Sequence, residues 1–370
     1  MADQIKRFFE CLMPVTACNL KCGYCYVIQR DNRKMEVPKL KYSPETIGKG
    51  LTVERLGGIC YFSICGAGET LVPEDTISIT KELLKNSHYV NLTTNGTLSN
   101  RFDELIQFPK EYLERLHIAF SLHYNELIRL NLLNMFFENV RKIKAAGASF
   151  IVQINLCDEY LDNWENIRQL CVDEIGAPPQ VAATRRENDL NTNIELMTAL
   201  SRQDYKRVGD QFESPLFDFT MKNFGVKRKE FCYAGDWSGT LNLGTGLLTK
   251  CYGGGTPQDI FADIDSPINF NAVGKCNQLF CMNSSHFMSL GVIPSVNTPT
   301  YAGLRNREDA GWYSARMKQF LDGKLNENNS EYGALRKFVC IIRSDVWITI
   351  NKTKRAVKRV IFGKRKNNKR

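Results

Sequence analysis

The sequence predicts an α/β protein: a partial (β/α)6 TIM-like barrel, followed by a small Cys-rich module and a basic C-terminal tail. Three observations predict it. Short apolar runs recur about every thirty residues between roughly 7 and 185, with helically patterned stretches between them. After Arg186 the pattern gives way to a Gly-rich region with four further cysteines, and residues 351–370 hold ten basic residues and no acid.

In chain order, the expected strands are 8–14, 59–65, 89–94, 116–122, 150–156 and 179–183. Helices are expected at 73–86, 101–115, 125–146 and 161–175. Strands joined by helical crossovers form a parallel sheet, curled into a partial barrel or left as an open doubly wound sheet that would give the same pattern, and such sheets place their chemistry at the carboxyl ends of the strands. A polar stretch at 189–193 and a helical segment to about 212 lead into the Cys-rich region. Beyond it, 308–325 reads as a helix and 338–350 as a strand or buried segment. The expected division is 1–200, 201–300, 301–350 and 351–370.

Composition narrows the function. With 43% hydrophobic and 24% charged residues over 370 positions, the chain is globular rather than disordered or repetitive. No apolar run approaches the roughly 20 residues of a membrane span, and the N-terminus lacks the apolar core of a signal peptide. A cytoplasmic location is expected. Thirteen cysteines in a reducing compartment point to thiolate ligands for metal rather than to disulfides. The net charge of +9 belongs to the tail, because the first 350 residues carry 39 basic against 40 acidic side chains. The body therefore offers no electrostatic case for nucleic acid.

Cys18, Cys22 and Cys25 follow the first expected strand with the spacing C-x3-C-x2-C. Three thiolates on one short loop can hold three corners of a 4Fe-4S cubane and leave the fourth iron open to a ligand. The competing reading is zinc, but a structural zinc site wants a closed set of four, and the fourth donor is missing locally.

The loop resembles the signature of the radical S-adenosylmethionine (radical SAM) superfamily, including Tyr24 just before the third cysteine. The resemblance implies that Cys18, Cys22 and Cys25 ligate the catalytic cluster and that S-adenosylmethionine chelates its open iron. One electron then cleaves the sulfonium, and a 5′-deoxyadenosyl radical takes a hydrogen atom from substrate. It implies cofactor contacts as well. Ala67-Gly68-Glu69 resembles the family's Gly-Gly-Glu turn, which binds the methionine amino group, with Ala67 replacing the first glycine and Thr70 the usual proline. Thr94-Asn95-Gly96 ends the third strand as it often does in the family. Ser121 or His123, and Asn155, fall at strand ends where ribose and carboxylate contacts occur. Arg185 has the planar fork that would pair with the methionine carboxylate.

Cys232, thirteen residues, Gly246, four residues and Cys251 resemble the opening of the SPASM/twitch extension of the same superfamily. The hairpin 241–248 fits its β-turn-β unit. Cys276 and Cys281 would complete four ligands for one auxiliary iron-sulfur cluster. Beyond residue 200 the chain holds only five cysteines, against about seven in a full SPASM domain, so the single-cluster twitch form is preferred. A zinc ribbon is the alternative, and His286 is a further candidate ligand. Cys11, Cys60, Cys65, Cys171 and Cys340 read as packing, and Cys157 as a thiol near the barrel mouth.

The resemblance implies a radical SAM oxidoreductase or epimerase served by a one-electron donor such as flavodoxin or ferredoxin. Only seventeen residues precede Cys18, too few for the leader-binding domain of many peptide maturases, so a small or carbohydrate-like substrate is expected ahead of a peptide. The tail, with apolar residues interleaved, would suit an anionic membrane surface, RNA or plain solvation. From a different class, a zinc-stabilised nucleic-acid-binding protein remains open.

Overall fold

Strands buried on both faces need continuous apolar runs, and the first six runs supply them. In the computed structural model, which describes residues 3–187, 194–252 and 255–367, they form β1 (Arg7–Met13), β2 (Cys60–Gly66), β3 (Tyr89–Thr94), β4 (Leu116–Ser121), β5 (Ser149–Leu156) and β6 (Gln180–Ala183). All five pairings among them are parallel, in sequence order. A two-stranded antiparallel ribbon follows, β7 (Arg185–Glu187) with β8 (Ile194–Leu196). The polar stretch 189–193 lies outside the described residues.

The crossover helices pack on the outside of the sheet: α1 (Asp75–Lys85), α2 (Ser99–Leu105), α3 (Leu133–Ala145) and α4 (Trp164–Ile175). Each buries one apolar stripe, as Ile79, Leu83 and Leu84 do on α1. Two expected helices are interrupted. The one expected at 101–115 ends at Leu105, and Pro109 caps a separate turn, Lys110–Leu113, because proline cannot sit inside a helix. The one expected at 125–146 is divided by Asn131, whose φ of 55° ends the turn Tyr124–Arg129 before α3 begins.

The hairpin expected at 241–248 is β9 (Ser238–Asn242) and β10 (Leu247–Thr249), with β11 (Gln258–Asp259) beyond it. It does not stand apart: β9 pairs in parallel with β1, Phe8 opposite Ser238, so one nine-stranded sheet runs β11-β10-β9-β1-β2-β3-β4-β5-β6. Gly246 closes the turn at φ 78°, where an added Cβ would lie 2.6 Å from Asp259 Oδ1.

The amino-terminal end of the barrel is plugged from the C-terminal side of the chain. After helices α5 (Pro215–Asn223) and α6 (Ser284–Phe287), Tyr301 meets Tyr61 edge-on, and Phe320 of α7 (Ala315–Asp322) stacks on Tyr89 at 3.6 Å. Trp312 is fully buried and donates Nε1–H to the Ile175 carbonyl at 3.2 Å. The helix expected at 308–325 is thus only Ala315–Asp322, preceded by a short turn that Gly311 ends at φ 65°. The strand expected at 338–350 is corrected: these residues lie within α8 (Ala334–Asn367). Their β-branched run imitates a buried strand, yet Phe338, Ile342, Val346 and Ile350 are solvent-exposed. The backbone of the basic tail continues α8 as far as Asn367; the tail's charged side chains lie outside the described residues.

Candidate active site

Each expected strand end contributes to a single cavity of about 380 Å3 at the carboxyl ends of the barrel strands. Cys18, Cys22, Cys25, Tyr24, Ala67, Gly68, Glu69, Asn95, Ser121, Asn155 and Arg185 all line it, and so does His123. Residues spread over 168 positions therefore meet because parallel strands end together.

The three-cysteine loop is held by hydrogen bonds that carry no cofactor. Gly68 donates its N–H to Val15 O at 2.7 Å and Glu69 its N–H to Ala17 O at 2.8 Å. A Cβ on Gly68 would sit 2.1 Å from the Ala17 carbonyl oxygen. Glycine is needed there to let the turn pack on the cluster loop, a requirement separate from approach to a ligand. Asn95 donates Nδ2–H to Asn19 Oδ1 at 2.8 Å and reaches Cys18 Sγ at 3.8 Å. Arg33 donates to the Cys18 carbonyl at 2.7 Å.

Glu69 is buried and already engaged. Its carboxylate accepts from Thr94 Oγ1 at 2.7 Å and from the N–H groups of Asn95 at 2.7 Å and Leu71 at 3.0 Å. Burial raises its pKa and these three bonds oppose the rise. The side chain thus ties β2 to β3; an ionised carboxylate with two oxygens keeps room for one more donor. Tyr24 is buried between His123 Nδ1, 2.7 Å from its hydroxyl, and the Tyr160 hydroxyl at 3.1 Å. Burial lowers the His123 pKa to about 4, so His123 is neutral at physiological pH. Arg185 donates Nη1–H to the Met282 carbonyl at 3.0 Å, which links the barrel mouth to the second cysteine region.

The thiols suit a cationic cluster. Burial, reinforced by Cys18 and Cys25, pushes the Cys22 thiol up to about 12, and burial raises Cys18 as well. Thiolates crowded this way repel one another until a metal compensates them, and soft sulfur donors select iron-sulfur clusters or zinc. The second set has the same character. Cys232, Cys251, Cys276 and Cys281 line one cavity with Arg228 and Phe287. Cys232 exchanges both backbone hydrogen bonds with Gly274 at 2.9 Å, which brings 232 beside 276. Burial raises Cys281 far above its ordinary value, and the other three cysteines add to the rise. Among the described residues no three His, Cys, Asp or Glu side chains are gathered closely enough for a single metal ion; each thiol set lines a cavity. His286 lines the barrel cavity rather than that of the second set. Cys157 is buried outside the lining, and the cavity-lining thiol beyond those of the three-cysteine loop is Cys65, which the sequence reading placed in packing.

Sequence reasoning missed a polar group under the cavity floor. Glu10 of β1 accepts from Asn283 Nδ2 at 2.6 Å, hydrogen-bonds Tyr252, and lies 4.0 Å from His286 Nδ1. That nitrogen is buried without a hydrogen bond. Burial raises Glu10 to about 7. The signal was present: Glu10 is the only acid in an otherwise buried strand, and acids are rarely buried without a purpose.

A parallel partial barrel with an open three-thiol loop at its mouth is the architecture of radical SAM proteins. Residues 12–171 match the Radical SAM superfamily, and the barrel is a radical SAM domain, whose cofactors are a 4Fe-4S cluster and S-adenosylmethionine. No curated protein matches the chain. Among solved structures it is similar to Streptococcus suis SuiB bound to S-adenosylmethionine, with 15% identity, 70% of this chain and 65% of that one covered, and a TM-score of 0.48. It is also similar to anSMEcpe with bound AdoMet, at 14% identity, 94% and 96% coverage and a TM-score of 0.46. BtrN in complex with AdoMet and 2-DOIA follows at 9% identity, 87% and 89% coverage and a TM-score of 0.30. The chain spans about 65% of the length of SuiB.

Proposed function

We propose that the protein is a radical SAM oxidoreductase acting on a small or carbohydrate-like substrate, with Cys18, Cys22 and Cys25 holding the catalytic cluster and Cys232, Cys251, Cys276 and Cys281 an auxiliary one. The observation that carries it is the convergence of the cysteine loop and every expected cofactor contact on one cavity. When bound, the first cluster would supply the electron for reductive cleavage of S-adenosylmethionine, and a second cluster held by Cys232, Cys251, Cys276 and Cys281 would offer an acceptor for an electron from the substrate.

The chain's own residues support the remaining steps. Gly68, Asn95 and Arg33 fix the loop, while Arg185, Ser121 and Asn155 offer polar contacts to the cofactor. A cavity of about 380 Å3 stands at the small end of the roughly 300–1,000 Å3 typical of ligand sites, so little space remains once the cofactor is seated. That favours a small substrate over a peptide.

Net oxidation requires a proton acceptor for the substrate radical as it gives up its electron. His286 lines the cavity with Glu10 4.0 Å behind it, so a proton taken up at His286 can pass to Glu10, which bonds Tyr252, next to Cys251, and Asn283, two residues beyond Cys281. Epimerisation would instead return a hydrogen atom, and Cys65 is the cavity-lining thiol outside the three-cysteine loop. A flavodoxin or ferredoxin would deliver the first electron.

The test is anaerobic reconstitution followed by incubation with S-adenosylmethionine and dithionite. About eight iron per chain and formation of 5′-deoxyadenosine are expected, with Cys22→Ala abolishing cleavage. Deuterium should pass from the attacked carbon of a polyol substrate to 5′-deoxyadenosine. Transfer only from peptides would move the substrate class to peptide maturation; zinc without sulfide would replace the enzyme by a metal-braced binding protein.

A further inference from the structure

Helix α8 carries an apolar face with no covering among the described residues. Leu335, Phe338, Val339, Ile342, Val346 and Ile350 follow one another at intervals of mainly three and four, which places them on one side of the helix. Their exposures run from 38% to 79%. The opposite side is the one that holds the helix to the body. There Cys340 is buried against Gly274 and Ser344 donates to the Val273 carbonyl, while Asp345, beside Phe338 at the edge of the apolar face, pairs with Lys275 at 2.7 Å. The apolar face therefore points away from the body by construction rather than by fraying. Fully helical, the 34 residues extend about 50 Å.

Charge selects the occupant. Residues 334–370 contain thirteen Lys and Arg and a single acid, Asp345. A second copy of the chain would bring two such segments side by side with nothing to neutralise them. The stripe keeps coiled-coil spacing only from Leu335 through Val339 and Ile342 to Val346, less than two heptads, before Thr349 and Thr353 take the next positions. Nucleic acid would answer the cations but leave the aliphatic side chains in water. A lipid surface with anionic headgroups satisfies both, since the apolar side chains enter the acyl boundary while the cations meet the headgroups.

We propose that α8 docks the protein on an anionic membrane surface through the face formed by Leu335, Phe338, Ile342, Val346 and Ile350. The helix lies in the interface and does not span it, and no helix among the described residues is long and apolar enough to cross a membrane. The proposal stands whether or not the reaction assigned above is correct, because it uses none of the cavity residues.

The experiment is co-sedimentation of the full chain with vesicles of phosphatidylcholine containing phosphatidylglycerol, against vesicles of phosphatidylcholine alone. Partitioning should be at least about tenfold stronger on the anionic vesicles and should weaken in high salt as the cations are screened. The double variant Ile342→Glu/Val346→Glu should lose about tenfold in partitioning while keeping the wild-type melting temperature, since both side chains are already exposed. Equal partitioning of variant and wild type would overturn the proposal. A concentration-dependent dimer dissolved by the variant would assign the face to a second copy, and binding to RNA with none to anionic vesicles would assign the segment to nucleic acid.

Discussion

The two cysteine sets offer the same donors through opposite constructions. The first lies on eight consecutive residues at the end of β1, so its spacing is written in the sequence and the fold need only hold one loop still. The second is collected from residue 232 to residue 281. It depends on the β9–β10 hairpin, the Cys232–Gly274 bridge and the pairing of β9 onto β1. A local site is specified by sequence and supported by its neighbours, whereas a distributed site is specified only once long-range pairing has occurred.

That contrast can be broken most sharply by removing one ligand from each set. Cys22→Ala should eliminate 5′-deoxyadenosine formation, whereas Cys281→Ala should retain it, lose about half of the roughly eight iron and fail to complete substrate oxidation. Iron and sulfide analysis with product chromatography checks both, and equal losses in the two variants would show that the sites are not separable. Next in size is Gly68→Ala. The new Cβ meets the Ala17 carbonyl at 2.1 Å, so the loop must move. A loss of about 1–3 kcal/mol is expected, with first-cluster absorbance impaired and second-cluster absorbance retained.

Glu10→Gln sharpens the comparison from inside the barrel. In the wild type, product formation should rise about tenfold from pH 6 to pH 8 as the carboxyl deprotonates, and the variant should show a flat, low profile. Stability runs the other way. Because burial raises Glu10 from 4.5 to about 7, the native state holds a proton the unfolded chain releases, and the fold loses stability as pH climbs between those values. Thermal melts of the amide variant should lack that decline. The smallest effect is expected for Tyr24→Phe, which removes the hydroxyl's contacts with His123 and Tyr160 at a cost of about 1 kcal/mol in denaturant titration.

How far the molecule was legible follows the same local-versus-distant line. The six barrel strands were readable to within about a residue because each is a short apolar run buried on both faces, and the family resemblance then named the cavity residues at their ends. Asn131 ended a helix through one left-handed residue that periodicity does not register. Residues 338–350 read as a strand because an apolar β-branched run usually marks a core, and here it marks an outer face instead. The pairing of β9 with β1 was illegible for a different reason: nothing in either segment names a partner some 230 residues away. Glu10 was visible as a letter, but its neighbours Tyr252, Asn283 and His286 come together only in three dimensions.

The parallel seam between β1 and β9 also sets a timetable for the nascent chain. Ribosomal synthesis at about 5–20 residues per second separates Phe8 from Ser238 by tens of seconds at the slower end of that range. Throughout that interval the strand that leads into the three-cysteine loop has one open hydrogen-bonding edge, the feature most apt to recruit a stray strand. Iron delivered too early would meet a loop whose flanking strand is half-paired, so the loop is fully supported for metal only once β9 has been made and has paired with β1.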